Sequence, residues 1–145
     1  MRSVFWEDGT DHHGMHSATG AGFIERADRN RNALAARYHI LAPSSVELLS
    51  ETEANVETYF HYVGVWKGED DPDVIGALGG RYRDLFQKRN GEWRVLHRVV
   101  VYDWSTARSY DSGWDHFKIP LGIYRGTLAP DDATYASDWH EVPSI

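Results

Sequence analysis

The sequence predicts a single α+β domain in which one helix packs over a pocket on a strongly curved, antiparallel or mixed sheet. A segment with helical spacing of apolar residues comes first, and runs rich in β-branched and aromatic residues follow it. Two of these runs are joined by Asn90-Gly91, a strong short-range signal for a β-hairpin. A helix followed by successive hairpins is typical of the α+β class. The length of 145 residues suits one domain, so we assign 1–145 as a single unit.

The pattern of residues 3–38 predicts one helix, preceded by a loop. Residues 3–6 indicate the end of an element, and residues 7–20, rich in Asp, His and Gly, predict a loop. Apolar residues then recur at helical spacing, with charged residues on the other side. We therefore expect a helix from Thr19 or Gly20 to about Tyr38, with His39 at its exit.

Four strands are predicted to follow as successive antiparallel hairpins. Residues 39–49 form a strand that is bent or bulged near Pro43, because proline donates no hydrogen bond to a sheet. The next three strands are predicted at 54–67, 75–88 and 93–104.

The glycines inside one predicted strand and the aromatic C-terminal residues add two expectations about the sheet. The glycines at 76, 79 and 80 lie inside a predicted strand, where they favour a bulge or sharp bend. Residues 105–145 have little periodicity but many aromatic residues. We expect this C-terminal extension to pack on the sheet or on a neighbouring subunit.

Composition excludes several classes of function. A formal net charge of −7 disfavours nucleic acid as a partner. The absence of cysteine excludes disulfides and thiolate chemistry, and it fits a cytoplasmic location. No apolar run approaches the ~20 residues of a membrane span, so no membrane partner is predicted. We expect no cofactor and no metal, since the histidines near His12 lack a second patterned cluster.

The last predicted hairpin mixes charges into apolar strand faces. Asp84 is in phase with Tyr82 and Phe86, and Arg98 is in phase with its apolar neighbours Leu96 and Val100. Polar groups among apolar ones are typical of a small-molecule pocket. Structural alternatives remain: Arg98 could form a salt bridge with an aspartate, Asp84 or Asp103, and Tyr82 could simply pack in the wall.

The motifs FWED, DHHG, GGRYRDLF, GEWRV and HRVVVYDW resemble the SnoaL-like branch of the nuclear-transport-factor-two-like superfamily. The resemblance covers residues 3–105 and is most specific in the final hairpin. Relatives include scytalone dehydratase, bile acid 7-alpha-dehydratase and hexachlorocyclohexane dehydrochlorinase. It implies a cone-shaped α+β fold with a pocket between sheet and helices, and cofactor-free elimination of water or HCl.

The resemblance also implies roles for particular residues. His39 matches the catalytic histidine that takes a proton from carbon, and Arg98 matches a pocket arginine that stabilises charge or the leaving group. The family's aspartate, which bonds that histidine, lies in N-terminal helices that this sequence lacks. Either the natural start lies upstream, or another carboxylate substitutes, or the chain is not a catalyst of the usual type. Asp11 is our candidate substitute, with Asp8 and Asp84 as alternatives.

The leading hypothesis is a dehydratase-like lyase or isomerase that acts on a small, apolar, oxygenated molecule. The catalytic candidates are His39, Arg98 and Asp11. Five residues are candidates for binding the substrate: Trp6, His13, His61, Tyr82 and Asp84. The alternative is a non-catalytic small-molecule-binding or assembly module, like the small subunit of a ring-hydroxylating dioxygenase. In either case the resemblance and the aromatic content favour a homo-oligomer, a trimer or a dimer.

Overall fold

The structure is a computed structural model and describes residues 2–29, 34–68 and 72–111. A 3-10 turn at Arg2–Val4 precedes the main elements. These are β1 (Phe5–His13), β2 (His16–Thr19), α1 (Gly20–Arg29), β3 (Leu34–Leu41), β4 (Ser45–Leu48), β5 (Glu53–Trp66), β6 (Val74–Arg89) and β7 (Glu92–Ser109). The predicted α+β class, with a curved sheet and a packed helix, is confirmed.

The strands form one mixed sheet in the order β2-β1-β7-β6-β5-β3, and β4 also pairs with β5. β1 runs parallel to β7, and every other described pair is antiparallel. Register shifts interrupt the β6–β7 ladder in two places. β-Bulges of this kind bend a sheet and increase its twist.

The hairpin between β6 and β7 turns where the sequence predicts. Asn90 and Gly91 both have positive φ, 52° and 85°, which matches the twist of two-residue hairpin turns. A register shift falls between Gly79 and Gly80, as expected, but the unpaired residue, Asp103, lies on the partner strand β7. A β-carbon on Gly80 would collide with the carbonyl oxygen of Val101. Glycine therefore permits the close approach of the two backbones at this bend.

The loop predicted for residues 7–20 is wrong. Most of this segment forms β1 and β2, which turn back on each other at Gly14, where φ is 63°. Polar residues are accommodated because β1 lies between two partners, β2 and β7, which satisfy its backbone groups. The mixed polar composition that suggested a loop belongs instead to a strand along which buried and exposed positions are mixed.

The predicted start of the helix is confirmed, but its predicted end is wrong. The amide of Gly22 donates to Thr19 Oγ1 at 3.1 Å, a typical N-cap. The helix ends at Arg29, and the segment from Leu34 onward is strand β3. Pairing of β3 with β5 outweighs the local helical spacing. His39 accordingly lies within a strand and not at a helix exit.

β5 and β6 match their predictions to within one residue, whereas the other predicted strands differ more. The break at Pro43 separates β3 from β4, and both pair with β5. β7 continues to Ser109, so residues 105–109 belong to the sheet and not to the predicted extension. Tyr110 and Asp111 follow the strand, and residues 112–145 of that extension lie outside the described residues.

The core consists of two apolar clusters. One joins Ile24 of α1 to Phe5 and Val95, and the other joins Phe60, Tyr82 and Val100. The helix therefore covers the β1 and β7 side of the sheet. No helix among the described residues is long and apolar enough to cross a membrane.

Candidate functional site

Strand pairing brings a set of polar side chains onto one face of the sheet. Asp11 of β1 is the register partner of Arg98 of β7, and Arg98 is the partner of Asp84 of β6. Residues that are register partners, or two positions apart on one strand, share a face. This face carries the polar group formed by Asp11, His13, His39, Tyr82, Asp84 and Arg98, which we call the site cluster.

Tyr82 lies at the centre of the site cluster. Its hydroxyl is 3.0 Å from Nε2 of His39, and its ring stacks on Phe60 with centroids 4.6 Å apart. The guanidinium carbon of Arg98 lies 4.1 Å from the centroid of the same ring, a cation–π contact. Burial raises the pKa of Tyr82 to about 12, although the Arg98 charge acts to lower it. Tyr82 is therefore a neutral hydrogen-bond donor at physiological pH.

His39 combines a basic nitrogen with aromatic surroundings. Phe60 and Tyr62 meet its ring edge-on, with centroids 5.6 and 5.4 Å away. Partial burial lowers the pKa of His39 below its usual 6.5, and the positive charges of His13, Arg98 and Arg37 lower it further. His39 is consequently a neutral imidazole, able to accept a proton, at about pH 7.

Arg98 and Asp84 form a buried bidentate ion pair. Nε and Nη2 of Arg98 donate to Oδ1 and Oδ2 of Asp84 at 2.7 and 2.6 Å. The side chains are 17% and 2% exposed. Because both carboxylate oxygens are engaged, Asp84 is not free to bind a substrate. Of the two alternatives left by the sequence, Asp84 is the partner, since Asp103 pairs with Arg81 on the other face.

Asp11 contacts His13 and not His39. Nδ1 of His13 lies 2.8 Å from Oδ1 of Asp11, which is only 1% exposed. The other oxygen, Oδ2, is buried without a hydrogen-bond partner among the described residues. The His13 ring stacks on Phe23 of α1, with centroids 4.4 Å apart. Asp8, an alternative partner for His39, pairs instead with Arg89.

Two predicted binding residues lie away from the site cluster. His61 points to the opposite face, where its ring centroid is 5.4 Å from that of Trp104. Trp6 lies toward the hairpin end of the sheet, where its Nε1 donates to the carbonyl of Gln87 at 2.8 Å. His61 was predicted from its strand and Trp6 from its motif, and neither observation determines which face of the sheet a side chain points to.

Sequence reasoning also missed four aromatic residues around the cluster, one of which is Tyr62 beside His39. Phe23 covers His13, Phe60 covers Tyr82, and Tyr102 lies 6.3 Å from His13 between ring centroids. Strand phase offered a signal for Tyr102, because it follows Arg98 by four positions on β7. Among the described residues, no group of three or more His, Asp or Glu side chains is arranged to hold a metal ion.

Comparison with known proteins places this geometry in a family. The SnoaL-like domain profile matches residues 1–99. The chain belongs to the SnoaL-like family. A search of curated proteins gave no match. The predicted membership in the SnoaL-like family is confirmed.

Solved structures of other proteins share the fold. A candidate scytalone dehydratase from Novosphingobium aromaticivorans DSM 12444 is 25% identical, with a TM-score of 0.60 over 75% of this chain and 71% of that chain. A hexachlorocyclohexane dehydrochlorinase, LinA type 2, is 16% identical, with a TM-score of 0.63 over 83% and 78%. The Kfla4162 protein from Kribbella flavida is 13% identical, with a TM-score of 0.62 over 72% and 76%.

Proposed function

We propose that this SnoaL-like protein is a cofactor-free lyase that eliminates a small group from an apolar, oxygenated substrate. The observation that carries the proposal is the contact between Nε2 of His39 and the Tyr82 hydroxyl at 3.0 Å, set among aromatic rings and above a buried cation. An isomerase would share the first step, which is removal of a proton from carbon.

His39 acts as the general base. Its lowered pKa keeps the ring neutral at about pH 7, so it can accept a proton from a carbon next to a carbonyl group. In the free protein the Tyr82 hydroxyl occupies Nε2 of His39. A substrate oxygen that accepts the Tyr82 hydrogen bond would release the Nε2 lone pair for the acidic C–H group.

Tyr82 and Arg98 stabilise the charge that develops on the substrate oxygen. Tyr82 donates its hydroxyl to that oxygen, as donors in oxyanion sites do. Arg98 acts through Tyr82, because two of its guanidinium nitrogens are held by Asp84 while its charge lies against the phenol ring. The ion pair with Asp84 therefore holds the Arg98 guanidinium against the Tyr82 ring and largely away from bulk solvent.

The structural neighbours support the same class of reaction. One relative is named for the dehydration of scytalone and another for the dehydrochlorination of hexachlorocyclohexane. Both names describe elimination of a small group. In this chain the aromatic side chains of Phe60 and Tyr62 favour a substrate with a flat ring.

The test uses 3-hydroxy-1-tetralone, in which the carbon beside the ketone loses a proton and the next carbon loses its hydroxyl group. The enone formed tautomerises to the ultraviolet-absorbing 1-naphthol. We expect turnover by the wild type, and a loss in kcat/KM of about 100-fold or more in His39→Gln. His97→Gln is the matched control, because His97 faces the opposite side of the sheet and contacts Thr10. Its kcat/KM should match the wild type.

Two results would contradict the proposal. Equal values of kcat/KM in the wild type and in His39→Gln would show that His39 is not the general base. Saturable binding of the ketone, measured by quenching of tryptophan fluorescence, without any 1-naphthol would favour the non-catalytic binding module.

A further inference from the structure

The pair formed by Asp11 and His13 is the part of the site cluster that the proposed mechanism does not use. Asp11 is 1% exposed and holds Nδ1 of His13 at 2.8 Å. Burying a carboxylate is costly, and a structural carboxylate normally engages both oxygens. Oδ2 of Asp11 has no hydrogen-bond partner among the described residues. The contact of Oδ1 with His13 is therefore the one described hydrogen bond of this buried carboxylate.

The arrangement fixes which ring nitrogen of His13 faces the site. A carboxylate accepts only from a protonated nitrogen, so Nδ1 carries a proton and donates it to Asp11. No described residue bonds the opposite nitrogen, Nε2. In the imidazolium form Nε2 carries a second proton, and because Asp11 holds Nδ1, the proton on Nε2 is the one that can be transferred.

His13 lies across Tyr82 from the general base. The ring centroids of His13 and His39 are each 6.2 Å from that of Tyr82. Phe23 stacks on one side of the His13 ring and holds its orientation. A ring-sized substrate that accepts a hydrogen bond from Tyr82 would therefore have one imidazole on each side.

We propose that His13, positioned by Asp11, donates a proton to the leaving group, so that the natural reaction removes a hydroxyl group as water and not a halide. This inference rests on the proposed function. Hydroxide is a poor leaving group and needs a proton as it departs, whereas chloride leaves as a stable anion. An acid held opposite the base is therefore useful for dehydration and superfluous for dehydrochlorination.

The step balances in protons and electrons. His39 takes the proton from the carbon beside the ketone, and that C–H electron pair becomes the new C=C bond. The C–O bond breaks with its electrons on oxygen, which receives the Nε2 proton of His13 and leaves as water. The protein then has a protonated His39 and a neutral His13, and exchange with solvent restores both.

The test compares 3-hydroxy-1-tetralone with 3-chloro-1-tetralone, which yield the same product, 1-naphthol. We expect His13→Gln to reduce kcat/KM for the hydroxy ketone by about 100-fold and for the chloro ketone by less than about threefold. The chloro ketone rate is corrected for its spontaneous elimination. His12→Gln is the control, because His12 is exposed on the other face of β1 and contacts Ser17, so neither rate should change.

Each outcome separates the inference from the proposed function. Equal losses for both ketones in His13→Gln would overturn the acid role while leaving the lyase intact. No turnover of either ketone by the wild type would overturn the proposed function, and with it the leaving-group argument.

Nitrogen-15 NMR of the His13 ring tests the positioning role of Asp11 without any substrate. The wild type should show a proton on Nδ1, and Asp11→Ala, which leaves no acceptor at that position, should lose this preference. A wild-type ring with a bare Nδ1 would overturn the pairing, whatever the kinetics show.

Discussion

At the scale of single residues, the protonation of His39 depends on cations around it. Arg37 lies two positions before His39 on β3 and is exposed, so it can be changed without removing a buried group. The charges of His13, Arg98 and Arg37 add to burial in lowering the pKa of His39. The imidazole is thus kept neutral by its surroundings rather than by a single partner.

Replacing Arg37 by glutamine should raise the pKa of His39 toward 6.5, because one of the charges that oppose protonation is removed. The acid limb of the pH–rate profile should move upward with it. NMR titration of the His39 ring measures the change directly. Arg83→Gln, an exposed arginine on the opposite face, should leave the titration unmoved. A downward or absent shift in Arg37→Gln would contradict the electrostatic account.

The same pKa has a consequence for stability. The unfolded chain binds a proton at His39 more readily than the folded chain does, so stability rises with pH through the window below 6.5. The contribution is fully present above 6.5 and is lost as pH falls toward the folded value. Acidification should therefore lower the free energy of unfolding, and it should also protonate His39 so that the imidazole can no longer accept a proton.

At the scale of elements, β6 and β7 are joined by two ion pairs in different environments. Asp84 and Arg98 are buried on the site face, while Arg81 and Asp103 lie about one-third exposed on the other. Solvent screens the second pair but not the first. The two pairs give a matched comparison within one hairpin.

Asp84→Ala should lower the free energy of unfolding by about 3–5 kcal/mol, because it leaves the Arg98 charge buried without its partner. Asp103→Ala should lower it by much less, because solvent screens the Arg81–Asp103 pair. Urea denaturation of both variants measures the difference. Similar losses in the two variants would show that the Arg98 environment is more solvated than its burial indicates.

At the scale of the whole molecule, β4 leaves apolar side chains in contact with solvent. Val46 and Leu48 are 59% and 70% exposed, and Leu49 after them is 50% exposed. A contiguous apolar strip of this kind is typical of a surface that another protein covers. The strip is consistent with the homo-oligomer that the sequence predicts.

Light scattering should therefore give the mass of a dimer or trimer, and Leu48→Glu should shift it toward the monomer by placing a charge in the strip. Met15→Glu is the control, because Met15 is 96% exposed at the β1–β2 turn and away from β4. A wild type that stays monomeric at high concentration would contradict self-association.

The sequence predicted the sheet better than the site. Alternation and turn chemistry act locally, so β5, β6 and the Asn90-Gly91 turn could be placed to within one or two residues. Pairing is not local. Nothing near Leu34 indicates that β5 will pair with this segment and convert a helical pattern into a strand.

The site residues show the same limit. Strand phase placed Tyr82, Asp84 and Arg98 on one face, and their contacts follow from that phase. The partner of Asp11 could not be predicted, because a loop was expected where β1 forms. Once β1 is a strand, Asp11 and His13 necessarily share a face, two positions apart.

The parallel register of β1 against β7 determines which side chains of β1 face the site cluster. His12 and His13 are neighbours, and they differ only in the side of the sheet to which each points. A slip of one position along β7 would exchange them, turning the Asp11 carboxylate outward and the wrong imidazole inward. The register shift between Phe5 and Thr10 comes just before this segment, so it determines that Asp11 and His13, and not His12, face the site cluster.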